Sequence, residues 1–227
     1  MGFIIGFILP FLTVIIFFVG LIYQIYSWKK RPSPTLTLFP APESNGERVV
    51  EVLKETFLFK RLFYGDLSLW VLGGLFHVVL LITIIDHYDR ILAFMGMTSG
   101  SVFKIPLISG GPTGIVLLIC VVLLIFRRII VKRAAQISSP ADYLALILIL
   151  AIILTGDGLR FMSSYDVVQT REYFSGILRF SYKGMPDNNW FIIHYLLAQV
   201  LIICIPFSKI LHFGGIFFTQ SSIHKRS

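Results

Sequence analysis

The chain alternates long apolar runs with short polar breaks. Five runs come close to the about 20 residues a helix needs to cross about 30 Å of hydrocarbon: roughly 3–27, 67–87, 105–126, 141–160 and 190–211. This pattern predicts an all-α integral membrane bundle of five transmembrane helices within a single domain, 1–227. The first run has no basic n-region, is longer than a signal h-region and lacks a small-x-small cleavage site, so it reads as a retained span.

The polar breaks orient the bundle, because short cytoplasmic loops collect lysine and arginine. Between the first two spans lie Lys29, Lys30, Arg31, Arg48, Lys54, Lys60 and Arg61; between the third and fourth lie Arg127, Arg128, Lys132 and Arg133. With Lys209, Lys225 and Arg226, fourteen of the twenty basic residues fall on one side, which predicts an external N-terminus and a cytoplasmic C-terminus. Composition agrees with a membrane solvent: 56% of residues are hydrophobic, 14% are charged and the mean hydropathy is +0.83. The net charge of +8 therefore reads as topology and attraction to anionic lipid, and no nucleic-acid-binding motif accompanies it.

Cys120 and Cys204 lie inside apolar spans, where free cysteine behaves as a small hydrophobe, and two cysteines do not make a disulfide framework. The Pro/Ser stretch 31–42 is the only linker-like composition, and no repeat is present. In the loop 28–66, Phe57, Leu58, Leu62 and Phe63 with Lys60 and Arg61 suit an amphipathic helix lying in the interface.

Four of the five histidines interrupt this apolar background: His77, His87, His194 and His212, with His224 in the tail. Imidazole in a bilayer is costly unless compensated, so each is a functional candidate. Span two runs outward and span five inward, which pairs His77 with His212 near the cytoplasmic side and His87 with His194 near the outer side. On ideal helices the ten residues from His77 to His87 rise about 15 Å and end about 80° short of whole turns, whereas the eighteen from His194 to His212 make five turns over about 27 Å. Straight, level helices cannot satisfy both spacings. Pro206 can kink the fifth helix between its histidines, and Gly73 and Gly74 leave bare backbone one turn before His77. The pattern alone is open to two haems, a proton path or a zinc site.

Other residues carry a family likeness. Leu75-Phe-His-Val with Asp86-His87, Phe126-Arg-Arg with Ala141-Asp142, and Phe191-Ile-Ile-His194 leading to Pro206-Phe-Ser-Lys-Ile-Leu-His212 resemble the gamma subunit of respiratory nitrate reductase and its relatives, five-span dihaem cytochromes b. The resemblance implies two haem b groups, held by His77 and His212 inside and by His87 and His194 outside. The segment Glu55–Asp66 looks more like the branch containing the membrane cytochromes of the Dsr and Tmc complexes and of methanogen heterodisulfide reductase. That branch implies a cytoplasmic iron–sulfur partner resembling the heterodisulfide reductase catalytic subunit, with further membrane and c-type cytochrome subunits as possible companions, and a role in sulfur-compound metabolism. A nitrate reductase gamma subunit is the alternative within the family.

Family precedent places a quinone site beside the outer haem, where two protons must be taken up with the two electrons of menaquinol or a similar carrier. Candidates at that side are Asp86, Lys104, Asp157 and Arg160, with Asp187, Asn188 and Asn189 before span five. Competing roles are an ion pair of Asp86 with Arg90 at (i, i+4) and a loop-side pair of Asp157 with Arg160. No phosphate loop, His-Glu-x-x-His, Cys-x-x-Cys-His or Gly-x-Ser-x-Gly occurs, so the haem would be non-covalent. A histidine-relay transporter would want polar residues throughout several spans, and spans one and three have few. A haem-free membrane anchor leaves four histidines in lipid without a purpose.

Overall fold

The computed structural model describes residues 2–30, 44–94, 111–164, 166–212 and 215. Lys104, the linker-like stretch, the start of the expected third span and the basic tail with His224 lie outside the described residues. Among the described residues five helices are long and apolar enough to cross a membrane: Ile4–Lys30, Leu67–Leu92, Gly111–Ile130, Pro140–Phe161 and Asn189–Phe207. Together with the kinship reported below, they make this a multi-pass membrane protein.

Helix α1 (Leu9–Lys30) is entered through a π-helical turn, Ile4–Ile8. Pro10 explains that entry. It has no N–H for the carbonyl of Gly6, and its ring needs room, which a widened turn supplies. The Tyr173 hydroxyl donates to that Gly6 carbonyl at 2.6 Å, and the Gln199 amide reaches the neighbouring Ile5 carbonyl at 3.5 Å. Burial pushes the Tyr173 hydroxyl far above the usual phenol range, so it remains a donor.

Two short helices, α2 (Asn45–Leu58) and α3 (Lys60–Gly65), precede the second span. They meet at Phe59, whose φ of 49° breaks the helix. Glu51 binds Lys54 at 3.1 Å and Lys60 at 2.9 Å, while Val49, Val50, Leu53 and Phe57 face outward. The amphipathic element thus starts ten residues earlier than Glu55, where the sequence suggested it, and bends at Phe59.

Asp66 then starts α4 (Leu67–Phe94) by accepting the Leu69 N–H at 2.9 Å, and it pairs with Arg127 at the end of α5 (Gly111–Ile130). The Leu69 N–H, the Ser68 hydroxyl and the Arg127 charge hold the Asp66 carboxyl below the usual aspartate range. A depressed pKa contributes stability above the unfolded value of about 3.9 that is lost as pH falls through the folded one. Acidification below about 3.9 is therefore expected to loosen the junction of α3 with α4, read as faster pepsin nicking around residues 59–66, and Asp66→Asn should show that nicking already at neutral pH with a neutral protease.

The remaining elements are α6 (Lys132–Gln136), α7 (Pro140–Phe161), α8 (Val167–Leu178) and α9 (Asn189–Cys204). A capping box of Ser139 and Asp142 with Pro140 in the first turn starts α7. The sequence reading treated 161–189 as plain loop; the structure places α8 there, N-capped by Asp166, whose carboxylate accepts from Val168 at 2.8 Å and Gln169 at 3.1 Å. The spanning helices pack in the order α4, α5, α7, α9, α1. Phe76 and Val79 of α4 meet Leu117, Cys120 and Val121 of α5 in the core, with Ile149, Leu150 and Ile153 of α7 against them. Large apolar side chains are mostly outside: Val71, Leu75 and Val78 on α4 and Ile115, Ile119 and Leu123 on α5 form exposed stripes at helical spacing. Such faces suit lipid.

Candidate functional site

The fifth span departs from the continuous helix expected over 190–211. Pro206 cannot donate to Ile202, and α9 gives way at Cys204 to a 3₁₀ turn, Ile205–Phe207. Ser208 is then fully extended (φ −124°, ψ 169°) and caps a second short turn, Lys209–Leu211, with His212 next. Pro206 and Phe207 press on α1 so closely that a Cβ on Gly20 would lie 2.8 Å from each. The five-turn, one-face relation of His194 and His212 is therefore replaced by an unwound corner, which resolves the mismatch in helical rise.

The structure brings the four histidines together in two pairs. The ring centroids of His77 and His212 are 5.8 Å apart, and those of His87 and His194 are 6.3 Å apart. Helix α4 packs on α5 and α8, and α9 on α7 and α1. Ring-to-ring approaches link α4 to the fifth span.

All four rings are held in the same manner. Nδ1 of His77 lies 2.7 Å from the Gly73 carbonyl, Nδ1 of His87 2.8 Å from that of Thr83, Nδ1 of His194 3.0 Å from that of Ile152, and Nδ1 of His212 3.0 Å from that of Lys209. A carbonyl only accepts, so each Nδ1 carries the proton and each Nε2 offers its lone pair. Anchoring one ring nitrogen to leave the other basic is how proteins prepare a metal-ligating histidine. No three His, Cys, Asp or Glu side chains converge on one point among the described residues, so a zinc centre has no donor set there.

Each pair has its own surroundings. Phe59 and Phe76 lie against His77, their ring centroids each 5.3 Å from its own. A Cβ on Gly73 or Gly74 would meet no atom within 4 Å, so open space borders that stretch of backbone. At the pair of His87 and His194, α7 supplies the support. His194 is the only one of the four to bond another helix, and Thr155 Oγ1 stands 3.2 Å from the same Nδ1. A Cβ on Gly156 would sit 3.1 Å from His194 Cε1, and one on Gly158 only 2.5 Å from the Trp190 ring.

The other sequence candidates divide. Asp86 pairs with Arg90 at 3.0 Å, as the (i, i+4) spacing suggested, and the helix runs on past His87 to Phe94. Asp157 lies near the end of α7, as the fourth span predicted, and leans on α5, where a Cβ on Gly114 would lie 1.9 Å from its Oδ1. No Asp157–Arg160 contact within 4.0 Å occurs among the described residues; the Arg160 Nε lies beside Gly111, from where its charge still acts on Asp157. Asn188 is a helix cap, accepting the Phe191 N–H at 3.2 Å and donating to Ser163 at 2.5 Å. Sequence reasoning read Thr155-Gly-Asp-Gly158 for its acid and missed its seat for His194. The small residues within an otherwise bulky span were the available signal.

These features define a class: a multi-pass membrane protein whose described residues are helical, with five helices long enough to span and two close histidine pairs between the second and fifth of them. Residues 63–222 match the family model described as nitrate reductase gamma subunit, and the chain belongs to that family. It is similar to the Hdr-like menaquinol oxidoreductase cytochrome b-like subunit of Archaeoglobus fulgidus, 29% identical over a 270-residue alignment covering 97% of this chain and 79% of the relative. The corresponding subunit of Archaeoglobus profundus is 26% identical, covering 94% and 76%. The nitrate reductase gamma chain of Bacillus subtilis is 30% identical over 156 residues, 61% of this chain and 68% of the relative.

Proposed function

We propose that this chain is the dihaem cytochrome b subunit of a membrane-bound oxidoreductase complex, exchanging electrons between menaquinone or a similar lipid-soluble carrier and a cytoplasmic iron–sulfur subunit resembling heterodisulfide reductase. The two histidine pairs carry this reading. The 5.8 and 6.3 Å between ring centroids would leave room for one metal ion between the imidazoles of each pair, at metal–nitrogen bonds of about 2.0–2.1 Å. Four Nε2 lone pairs, freed by four anchored Nδ1 atoms, make the donor set of two bis-histidine haems, with His77 and His212 for the inner and His87 and His194 for the outer one. The space bordering Gly73 and Gly74 suits a flat macrocycle.

Haem b, when bound, supplies one-electron transfer. The chain's own part is to hold it non-covalently, fix ligand orientation and manage protons. A quinol releases two protons with its two electrons, so acceptors are needed beside the outer pair. Asp86, next to His87, and Asp157, one residue from the Gly156 that seats His194, are the carboxylates in reach of that region; Arg160 and Lys104 are the candidate cations. The charge asymmetry supports an external N-terminus and docking of partners on the cytoplasmic face, formed by 28–66, 127–140 and the end of the chain. The Archaeoglobus relatives, Hdr-like menaquinol oxidoreductase subunits, support an Hdr-like complex with menaquinol as the carrier; we extend that reading to a Dsr-like role in sulfur-compound metabolism, with additional membrane and c-type cytochrome subunits as companions, and the Bacillus relative supports a nitrate reductase as the second reading. Purified complex should give a reduced-minus-oxidised spectrum of low-spin haem b with about two haems per chain. A haem-free preparation that still oxidises menaquinol would end this proposal, and the co-purifying subunits decide between the two complexes.

A further inference from the structure

The inner ligand His212 stands on a weak turn. Its three-residue 3₁₀ segment is closed by long bonds, Leu211 N–H to the Ser208 carbonyl at 3.3 Å and Ile210 N–H to the Ser208 hydroxyl at 3.3 Å. Such a turn has little rigidity of its own. Leu211 buries its side chain in the bundle, and the polar tie is Lys209, mostly exposed, whose carbonyl accepts the His212 Nδ1–H at 3.0 Å and whose ammonium reaches Asp142 on α7 at 2.7 Å. Oδ2 of Asp142 gathers four donors: the Ser139 N–H at 2.8 Å, the Ser139 hydroxyl at 3.0 Å, Lys209 at 2.7 Å and Arg128 at 3.5 Å. The carboxylate is buried, 8% exposed, and rigid at the head of a helix, whereas Lys209 reaches it from the unwound corner.

We infer that Asp142 is the positioning residue of the inner haem site: through Lys209 it sets the orientation of His212, although α7 itself carries no ligand to that site. Arg128 joins the same carboxylate from α5, so α5, α7 and the corner after Pro206 converge on one atom. This rests on the dihaem reading above. A direct hydrogen-bond partner behind a ligating histidine is worth about 10–100-fold in metal affinity or activity; Asp142 acts one step further back, through Lys209, so its loss falls at the low end of that range. The unwound corner has no second polar tie to α7 among the described residues that could take over from Lys209.

The test uses the intact membrane complex. Asp142→Asn and Lys209→Met should each release one of the two haems to excess apomyoglobin about tenfold faster than wild type and alter one low-spin ferric signal while sparing the other. Lys209→Arg should behave as wild type, and the double variant should be no worse than either single one. His212→Ala is the reference for the inner site. If His212→Ala loses one haem but Asp142→Asn keeps wild-type release and both signals, the positioning role is overturned and the dihaem reading stands. Equal loss of both haems in Asp142→Asn would also overturn it, since the carboxylate would then support the bundle at large. If His212→Ala retains two haems, the ligand assignment itself fails.

Discussion

Replacing His194 by alanine is expected to lower haem content from two per chain to one and to stop quinol-dependent reduction of the haem that remains. The outer pair would lose its second nitrogen, and no neighbouring His, Cys, Asp or Glu cluster among the described residues offers a substitute. His87→Ala should do the same. His77→Ala and His212→Ala should instead remove the inner haem, leaving quinol able to reduce the outer one while electron delivery to the cytoplasmic side ceases. Haem per polypeptide and stopped-flow reduction by a menaquinol analogue measure both halves. The contrast between the outer and inner variants is the informative part, because an anchor or a transporter predicts no such asymmetry. Four variants with unchanged haem content and electron transfer would reject the assignment.

The second large effect is expected at Gly158. Trp190, at the start of α9, packs so tightly on α7 that a Cβ at this position would lie 2.5 Å from two of its ring carbons, so the bulky ring must be displaced. Overpacking of this kind costs about 1–3 kcal/mol and at times more. Gly158→Leu should therefore separate the outer ends of α7 and α9, lower the thermal midpoint in detergent and withdraw Ile152 and Thr155 from His194, so that the outer haem is lost first. Adding Trp190→Ala should restore much of the stability and outer-haem content. A Gly158→Leu protein with wild-type melting and two haems would show that the contact is not needed.

Much of this was readable along the chain. Span number follows from local hydropathy, because each helix satisfies its own backbone bonds in lipid. The pairing of His77 with His212 and of His87 with His194 followed from alternating span direction, a property of chain order rather than packing. Asp86 with Arg90 followed from helical spacing. By contrast, α8 escaped the reading because no long apolar run marks it, and the hydrophobic pattern was the guide; its one local sign was the capping Asp166. Asp157 was placed at the end of span four, where it lies, but its close approach to Gly114 of α5 depends on packing and on the small residue facing it.

Length and apolar pattern thus sufficed for a helical membrane protein with five spanning segments whose histidines meet in two particular pairs, since each of these properties depends on neighbours in the chain or on their order. The order of helices around the bundle, the tautomer of each histidine, the unwinding after Cys204 and the bridge from Lys209 to Asp142 depend on residues far apart in sequence. Pro206 announces that a helix bond is missing, but not how the chain will turn afterwards. That is set by the press of Pro206 against Gly20 and by a carboxylate 67 residues before the lysine it binds, contacts that exist only once the helices have packed.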